Sequence, residues 1–389
     1  MTTASHEPIE IGELLSALDA GEPVLLLDAR NAEDFAAWRI EARRPVSALH
    51  VPYFDFLEDT AAALARVPRD RPIVVVCAKG GSSALVVDLL RAAGVPARNV
   101  VGGMAAYGDH LEAEAVSQST SARFELTQVN RRGKGCLSYV VRTGDEALVI
   151  DPARHVEWYE RFVQERGARI VRVLDTHVHA DHGSGGPALA ARAKASYSVG
   201  AGPNSAELRH RAETLADGSH LSLGSTPETR LELEVLATPG HTPGSASFLL
   251  GRRYLFSGDT LFVRAVGRPD LGGQAEAWAR ALFRTLHRRL AELPDATVIL
   301  PAHTAGNEEA GQHGLVRGSL GELRRGPEFE PASEDAFVRR VARTVKPAPE
   351  AYVELVRANL GQSTPTPEQL AEWELGQNQC ATRAARSGG

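Results

Sequence analysis

Thr176-His177-Val178-His179-Ala180-Asp181-His182 follows at once on the apolar run Ile170-Val171-Arg172-Val173-Leu174 and places four metal-ligating side chains within six residues. On an extended segment His177 and His179, two apart, face the same side, while Asp181 and His182 at the turn can reach a neighbouring position. Three further segments repeat the pattern of a strand-like run ending in a ligand: Pro239-Gly240-His241, Ser257-Gly258-Asp259 and Pro301-Ala302-His303. A lone histidine after a strand is ordinarily a surface or core residue. Seven candidates in four strand-end segments, His177, His179, Asp181, His182, His241, Asp259 and His303, read instead as one metal centre. Imidazole and carboxylate suit zinc, iron and related ions, and loops at strand ends can converge on one edge of a sheet. Flanking Gly183, Gly240 and Gly258 permit the turns that point these side chains inward.

Around this cluster the chain is strand-rich. Leu137 to Arg142 and Ala147 to Ile150 flank Thr143-Gly144-Asp145-Glu146 as a hairpin, and Val156 to Arg166, closed by Gly167, reads as a helix. Gln274 to Leu293 is expected as one helix, and the chain beyond 330 as helical, fraying from Thr382 to Gly389. Toward the amino terminus the texture changes to alternation: strand Val24–Leu27, helix Asn31–Arg39, strand Ile73–Val76, helix Ser82–Ala93. That alternation predicts a small α/β domain with a parallel sheet. Small polar residues at 115–121 read as a linker, giving domains at 8–114 and 122–345 and a helical extension at 346–389.

In the first domain Val76-Cys77-Ala78-Lys79-Gly80-Gly81-Ser82 sets a cysteine between an apolar strand and a helix. Loop amides and a helix amino terminus stabilise negative charge there, favouring the thiolate, and Lys79 adds a cation. The other cysteines, Cys136 and Cys380, are expected to be structural or incidental, and three cysteines are too few for a disulfide framework in this chain.

Bulk properties agree with two domains. At 389 residues the chain exceeds the ~250–300 at which single cores stop growing. A composition of 43% hydrophobic and 24% charged residues is that of an ordinary globular protein, and a net charge of −6 disfavours nucleic acid as a partner. The sequence from Met1 lacks a basic start followed by an apolar core, and no apolar run approaches a membrane span, so no membrane is expected and a cytoplasmic location follows. A homo-oligomer is left open.

Residues 122–345 resemble a metallo-β-lactamase-fold hydrolase or oxygenase, an αββα sandwich, on the strength of the His177–His182 run, His241, Asp259 and His303. Within that superfamily Gly258-Asp259-Thr260 followed by Gly267-Arg268-Pro269-Asp270 resembles the persulfide dioxygenases. The resemblance implies one Fe(II) per chain held by His177, His241 and Asp259, with His179, Asp181, His182 and His303 around it in a supporting shell or a second metal position. It further implies that Arg268 and Asp270 bind the thiol cosubstrate, and that a small-molecule persulfide is oxidised by O₂ to sulfite and thiol. All seven ligands of a dizinc thioester hydrolase of the glyoxalase II kind are also present, so two Zn remain an alternative. Residues 8–114 resemble a rhodanese-like sulfurtransferase through Leu27-Asp28-Ala29-Arg30, the Cys77 loop and Val101-Gly102-Gly103-Met104. This implies a persulfide carried on Cys77 with Lys79 beside it, although Ala78 and Ser82 stand where that family's loop has arginines. A non-catalytic sulfur carrier is the third reading.

Overall fold

The strand Leu25–Asp28 is buried at every position, as is Ile73–Val76, which pairs with it in parallel. Continuous apolar runs of this kind belong inside a parallel sheet covered on both faces. Ala48–His50 and Ala97–Asn99 complete four parallel strands in the order Ala48–His50, Leu25–Asp28, Ile73–Val76, Ala97–Asn99. Alternate side chains serve the two faces. Leu26, Val74 and Val76 pack with Leu14, Leu15 and Leu18 of helix Ile11–Ala20, while Leu27, Val75 and Cys77 pack with Val86, Val87 and Leu90 of helix Gly81–Ala92.

This is the computed structural model of the chain, and it describes residues 7–116, 123–304, 306, 309–311, 314–330, 333–343, 348 and 350–382. The expected linker at 117–121 and the tail from 383 lie outside them, whereas Ala115, expected in the linker, ends the strand Glu112–Ala115. Two compact units are present: Met1–Glu112 with Arg131–Lys134 and Leu375–Gln377, and Ala113–Asn130 with Gly135–Glu374 and Asn378–Gly389. No helix among the described residues is long and apolar enough to cross a membrane.

The second unit is built on two sheets. One has seven strands, centred on Cys136–Thr143, Glu146–Ile150 and Arg169–Asp175; the other has six, centred on Ala246–Leu250, Tyr254–Gly258 and Val298–Pro301. Tyr139, Val141, Leu148 and Leu174 from the first meet Val235, Phe248, Phe256 and Leu300 from the second in a shared core. Helix Val156–Gln164 buries Tyr159 and Val163, and helices Ala275–Arg284 and Glu334–Ala342 cover the second sheet through Leu282 and Phe337. The result is the αββα sandwich. Thr143 pairs with Glu146 across a tight turn at Gly144, making the expected hairpin. The segment expected as one helix from Gln274 changes pitch: after Arg284 a π turn runs Thr285–Arg289 and a 3₁₀ turn Leu290–Glu292. There the Thr285 hydroxyl donates to Pro239 O (2.8 Å), holding the wide turn against the loop that carries His241.

Candidate metal centre and sulfur site

Sheet topology brings the predicted ligands together. Tyr254–Gly258 and Val298–Pro301 are parallel neighbours, so Asp259 and His303 leave the same sheet edge side by side, with His303 Nδ1 2.6 Å from Asp259 Oδ1. Ala246 N donates to Thr176 O (2.8 Å), tying the His177–His182 segment of one sheet to the edge of the other. His241 reaches the same place from a loop whose Gly240 lies against helix Ala275–Arg284: a Cβ there would sit 2.5 Å from Leu282 Cα. All seven predicted ligands are buried.

Three of them aim bare lone pairs at one point. His177 Nε2, His241 Nε2 and Asp259 Oδ2 are buried without hydrogen-bond partners, with the two nitrogens 3.6 and 3.5 Å from the carboxylate oxygen. The opposite atoms of the rings explain why. Asp151 only accepts, so the Thr176 hydroxyl donates to it (3.1 and 3.0 Å) and accepts from His177 Nδ1 (3.0 Å). His241 Nδ1 donates to Arg268 O (2.9 Å). Both rings are thereby fixed in the tautomer that leaves Nε2 unprotonated. Burial pushes the pKa of His177 and His241 down, while Asp259 is held ionised because His303, His177 and His241 outweigh its burial. Neutral imidazoles and a carboxylate, each with an orphaned buried atom, suit a metal ion.

Of the remaining predicted ligands, His179 and His303 also keep buried nitrogens without a hydrogen-bond partner. His303 stands between two carboxylates, its Nε2 3.0 Å from Asp181 Oδ2, and its pKa is raised because Asp181 and Asp259 overcome the effect of burial. His182 Nδ1 lies 3.0 Å from Asp181 Oδ1. His179 turns away from this group toward Asp151 (3.3 Å) and Asp175 (4.0 Å). Cys136, expected to be structural or incidental, has its Sγ 3.8 Å from Asp181 Oδ2 and lies with Asp181, His182 and His303 in one buried set of potential ligands. Cys380 likewise comes within reach of Asp259 and His303. Neither thiol had a local signal, because its partners are distant in sequence. Asp151 had one: it ends an apolar strand, as Asp259 does, and its φ of 51° is a left-handed value that favours Asn and Asp among non-glycine residues.

Arg268 is buried and forms a two-point pair with Asp270, Nε to Oδ1 2.8 Å and Nη2 to Oδ2 2.5 Å. Its carbonyl is the group that orients His241.

In the first unit Cys77 Sγ accepts from Gly80 N (3.1 Å) and Ser83 Oγ (3.0 Å) at the start of helix Gly81–Ala92. Burial pushes this thiol up, but the Ser83 hydroxyl and the N–H groups of Ser83, Lys79 and Gly80 more than offset it, so its pKa is lowered. Lys79 is exposed; the part of it that holds the sulfur is its backbone. Met104 N donates to Cys77 O (2.9 Å) and Ala105 N to Ala78 O (3.0 Å), fixing the loop from outside.

Residues 131–324 match the model of the metallo-beta-lactamase superfamily and residues 10–110 that of the rhodanese-like domain. The chain belongs to the metallo-beta-lactamase superfamily and carries a rhodanese-like domain ahead of that fold. It is thus an enzyme of the metal-dependent hydrolase or dioxygenase kind. Among its relatives is the mitochondrial persulfide dioxygenase ETHE1 of Bos taurus, 31% identical over 241 residues that make up 60% of this chain and 87% of that protein. A hydroxyacylglutathione hydrolase of Parasynechococcus marenigrum is 34% identical over 177 residues, 42% of this chain and 65% of that one. The crystal structure of ETHE1 from Myxococcus xanthus superposes with a TM-score of 0.53 at 29% identity, covering 61% of this chain and 99% of that one.

Proposed function

We propose that the chain is a persulfide dioxygenase, with a sulfur-transfer module at Cys77. The observation that carries the reading is the convergence of His177 Nε2, His241 Nε2 and Asp259 Oδ2, three bare atoms in a buried site. Two histidines and one carboxylate on one face, with positions left open, are the ligand set of non-haem Fe(II) oxygenases. The similarity to ETHE1 over most of its length supports the same branch. Asp181, His182 and His303 form, with Cys136, a second buried set of potential ligands, and the dizinc hydrolase reading would place its second ion there.

The proposed reaction is R–S–SH + O₂ + H₂O → R–SH + SO₃²⁻ + 2H⁺. Fe(II) at the triad would supply the open positions at which O₂ and the persulfide sulfur meet. The chain's own groups do the rest. Thr176 and the Arg268 carbonyl hold the two rings in register, and Arg268 with Asp270 receives the polar part of the thiol. His303, with Nδ1 on Asp259 and Nε2 beside Asp181, holds the two carboxylates in place. In the first unit the Cys77 thiolate attacks the outer sulfur of a persulfide, Cys77–S⁻ + R–S–SH → Cys77–S–SH + R–S⁻, a transfer with no net oxidation. Lys79 stands at the mouth of that loop as a cation for the donor.

Metal analysis of the chain purified with its metal retained tests the site. The proposal expects about one iron per chain, with O₂ uptake on addition of a glutathione-type persulfide. Two zinc per chain with thioester cleavage and no O₂ uptake would replace it with the hydrolase reading.

A further inference from the structure

The His177–His182 segment lies between the strand Arg169–Asp175 and the helix Gly186–Ala193 and belongs to neither, so its backbone groups have no ladder to pair with. Buried backbone groups of that kind must find partners elsewhere. They find them far along the chain. Asn359, the last residue of helix Tyr352–Asn359, donates through Nδ2 to His179 O and to His182 O, both at 2.8 Å, and accepts through Oδ1 from Ser184 N at 2.8 Å. Glu374 Oε1 accepts from Gly183 N (2.6 Å) while its Oε2 pairs with Arg154 Nε (2.9 Å). Further on, Cys380 O accepts from Arg268 N (2.9 Å), and Asn378 Nδ2 donates to Thr304 O (3.2 Å), next to His303. All these contacts lie within the second unit, and residues 359–382 fall outside the segment matched by the superfamily model.

We infer that Asn359 is a positioning residue of the metal centre: its amide clamps the two carbonyls that flank Asp181 and so sets the backbone from which His177 and His179 project. This rests on the reading that His177, His241 and Asp259 hold a metal. Buried and with both amide donors and its acceptor in use, Asn359 offers a set of bonds that no other residue of its shape can make. Asn359→Asp keeps the size and the acceptor for Ser184 N but turns an oxygen toward His179 O and His182 O. Leu355→Ala, one turn earlier on the buried side of the same helix, weakens its packing while leaving the Asn359 amide in place.

The test uses the full chain stripped of metal and titrated with Co(II), whose visible absorption reports the coordination sphere. For Asn359→Asp a Co(II) dissociation constant about 10–100-fold weaker is expected, with an altered spectrum, while Leu355→Ala lowers the melting temperature and stays within about threefold of the parent. Should Asn359→Asp fail to fold, Asn359→Ser, which keeps one donor, takes its place with an intermediate loss expected. Co(II) affinity and spectrum unchanged in the Asn359 variant, or lost equally in Leu355→Ala, overturn the assignment. A parent chain that binds no Co(II) overturns the metal reading itself.

Discussion

Thr176 shows how much of the site is settled by single atoms. Its one hydroxyl proton is committed to Asp151, and that commitment fixes which nitrogen of His177 is bare. Thr176→Val keeps the shape and removes the hydroxyl, leaving a buried carboxylate and ring N–H short of a partner. Metal affinity is expected to fall about 10–100-fold and apo-protein stability by roughly 1–3 kcal/mol, read by metal titration and by urea unfolding. Ser83 plays the corresponding part at Cys77. Because its hydroxyl favours the thiolate, the pH profile of Cys77 alkylation should have its midpoint below the ~8.5 of a free thiol, and Ser83→Ala should move it up. The sign follows: at neutral pH the variant holds less thiolate and reacts more slowly, and an unmoved midpoint would remove Ser83 from the account. At this scale the sequence was a good guide to types. Six of the predicted ligands fall into adjoining groups, because each follows a strand whose place in a sheet its apolar pattern specifies, while His179 faces Asp151 and Asp175. The sequence was a poor guide to partners. Cys136, expected to be incidental, lies beside Asp181, and nothing near Asn359 announces that it clamps a loop begun at His177.

Among elements, the legible ones are those whose signal is local. The hairpin around Gly144 and the strand ending at Asp175 depend on alternation and turn chemistry within a few residues. The change of pitch at Thr285 was not legible, since it depends on a hydroxyl reaching Pro239 O in another loop. Nor was the loop–loop contact in the first unit. Gly103 has φ +59°, and a Cβ on it would lie 2.2 Å from Cys77 O. Gly103→Ala must therefore displace the Cys77 loop in addition to the ~1–2 kcal/mol a side chain costs in the left-handed region. Unfolding should show a loss of at least that size, and Cys77 alkylation should slow because Gly80 N and Ser83 Oγ no longer face the sulfur. Parent-like alkylation in a destabilised variant would mean that the loop is held by other contacts.

Taken whole, the chain joins a unit with a poised thiol to one with a buried cluster of metal ligands, each with its own core. If the two sites work independently, His177→Ala and Asp259→Ala abolish oxygenase activity and leave sulfur loading of Cys77 intact, as followed by mass measurement of the persulfidated chain. Loss of both together would show that one site needs the other. The division into two units was readable from texture, alternating in one and strand-rich in the other, whereas the αββα sandwich was implied only by the resemblance that the ligand segments carry. The reaction was not readable, because the seven ligands that serve a dizinc hydrolase include the three that would hold one iron. The most direct measurement is therefore simultaneous recording of O₂ consumed and sulfite formed when a low-molecular-weight persulfide is given to the iron-loaded chain. The account predicts equal amounts of each, with neither change in the metal-free chain. Thioester cleavage by a zinc-loaded chain, with no O₂ consumed from persulfide under any metal, would contradict it.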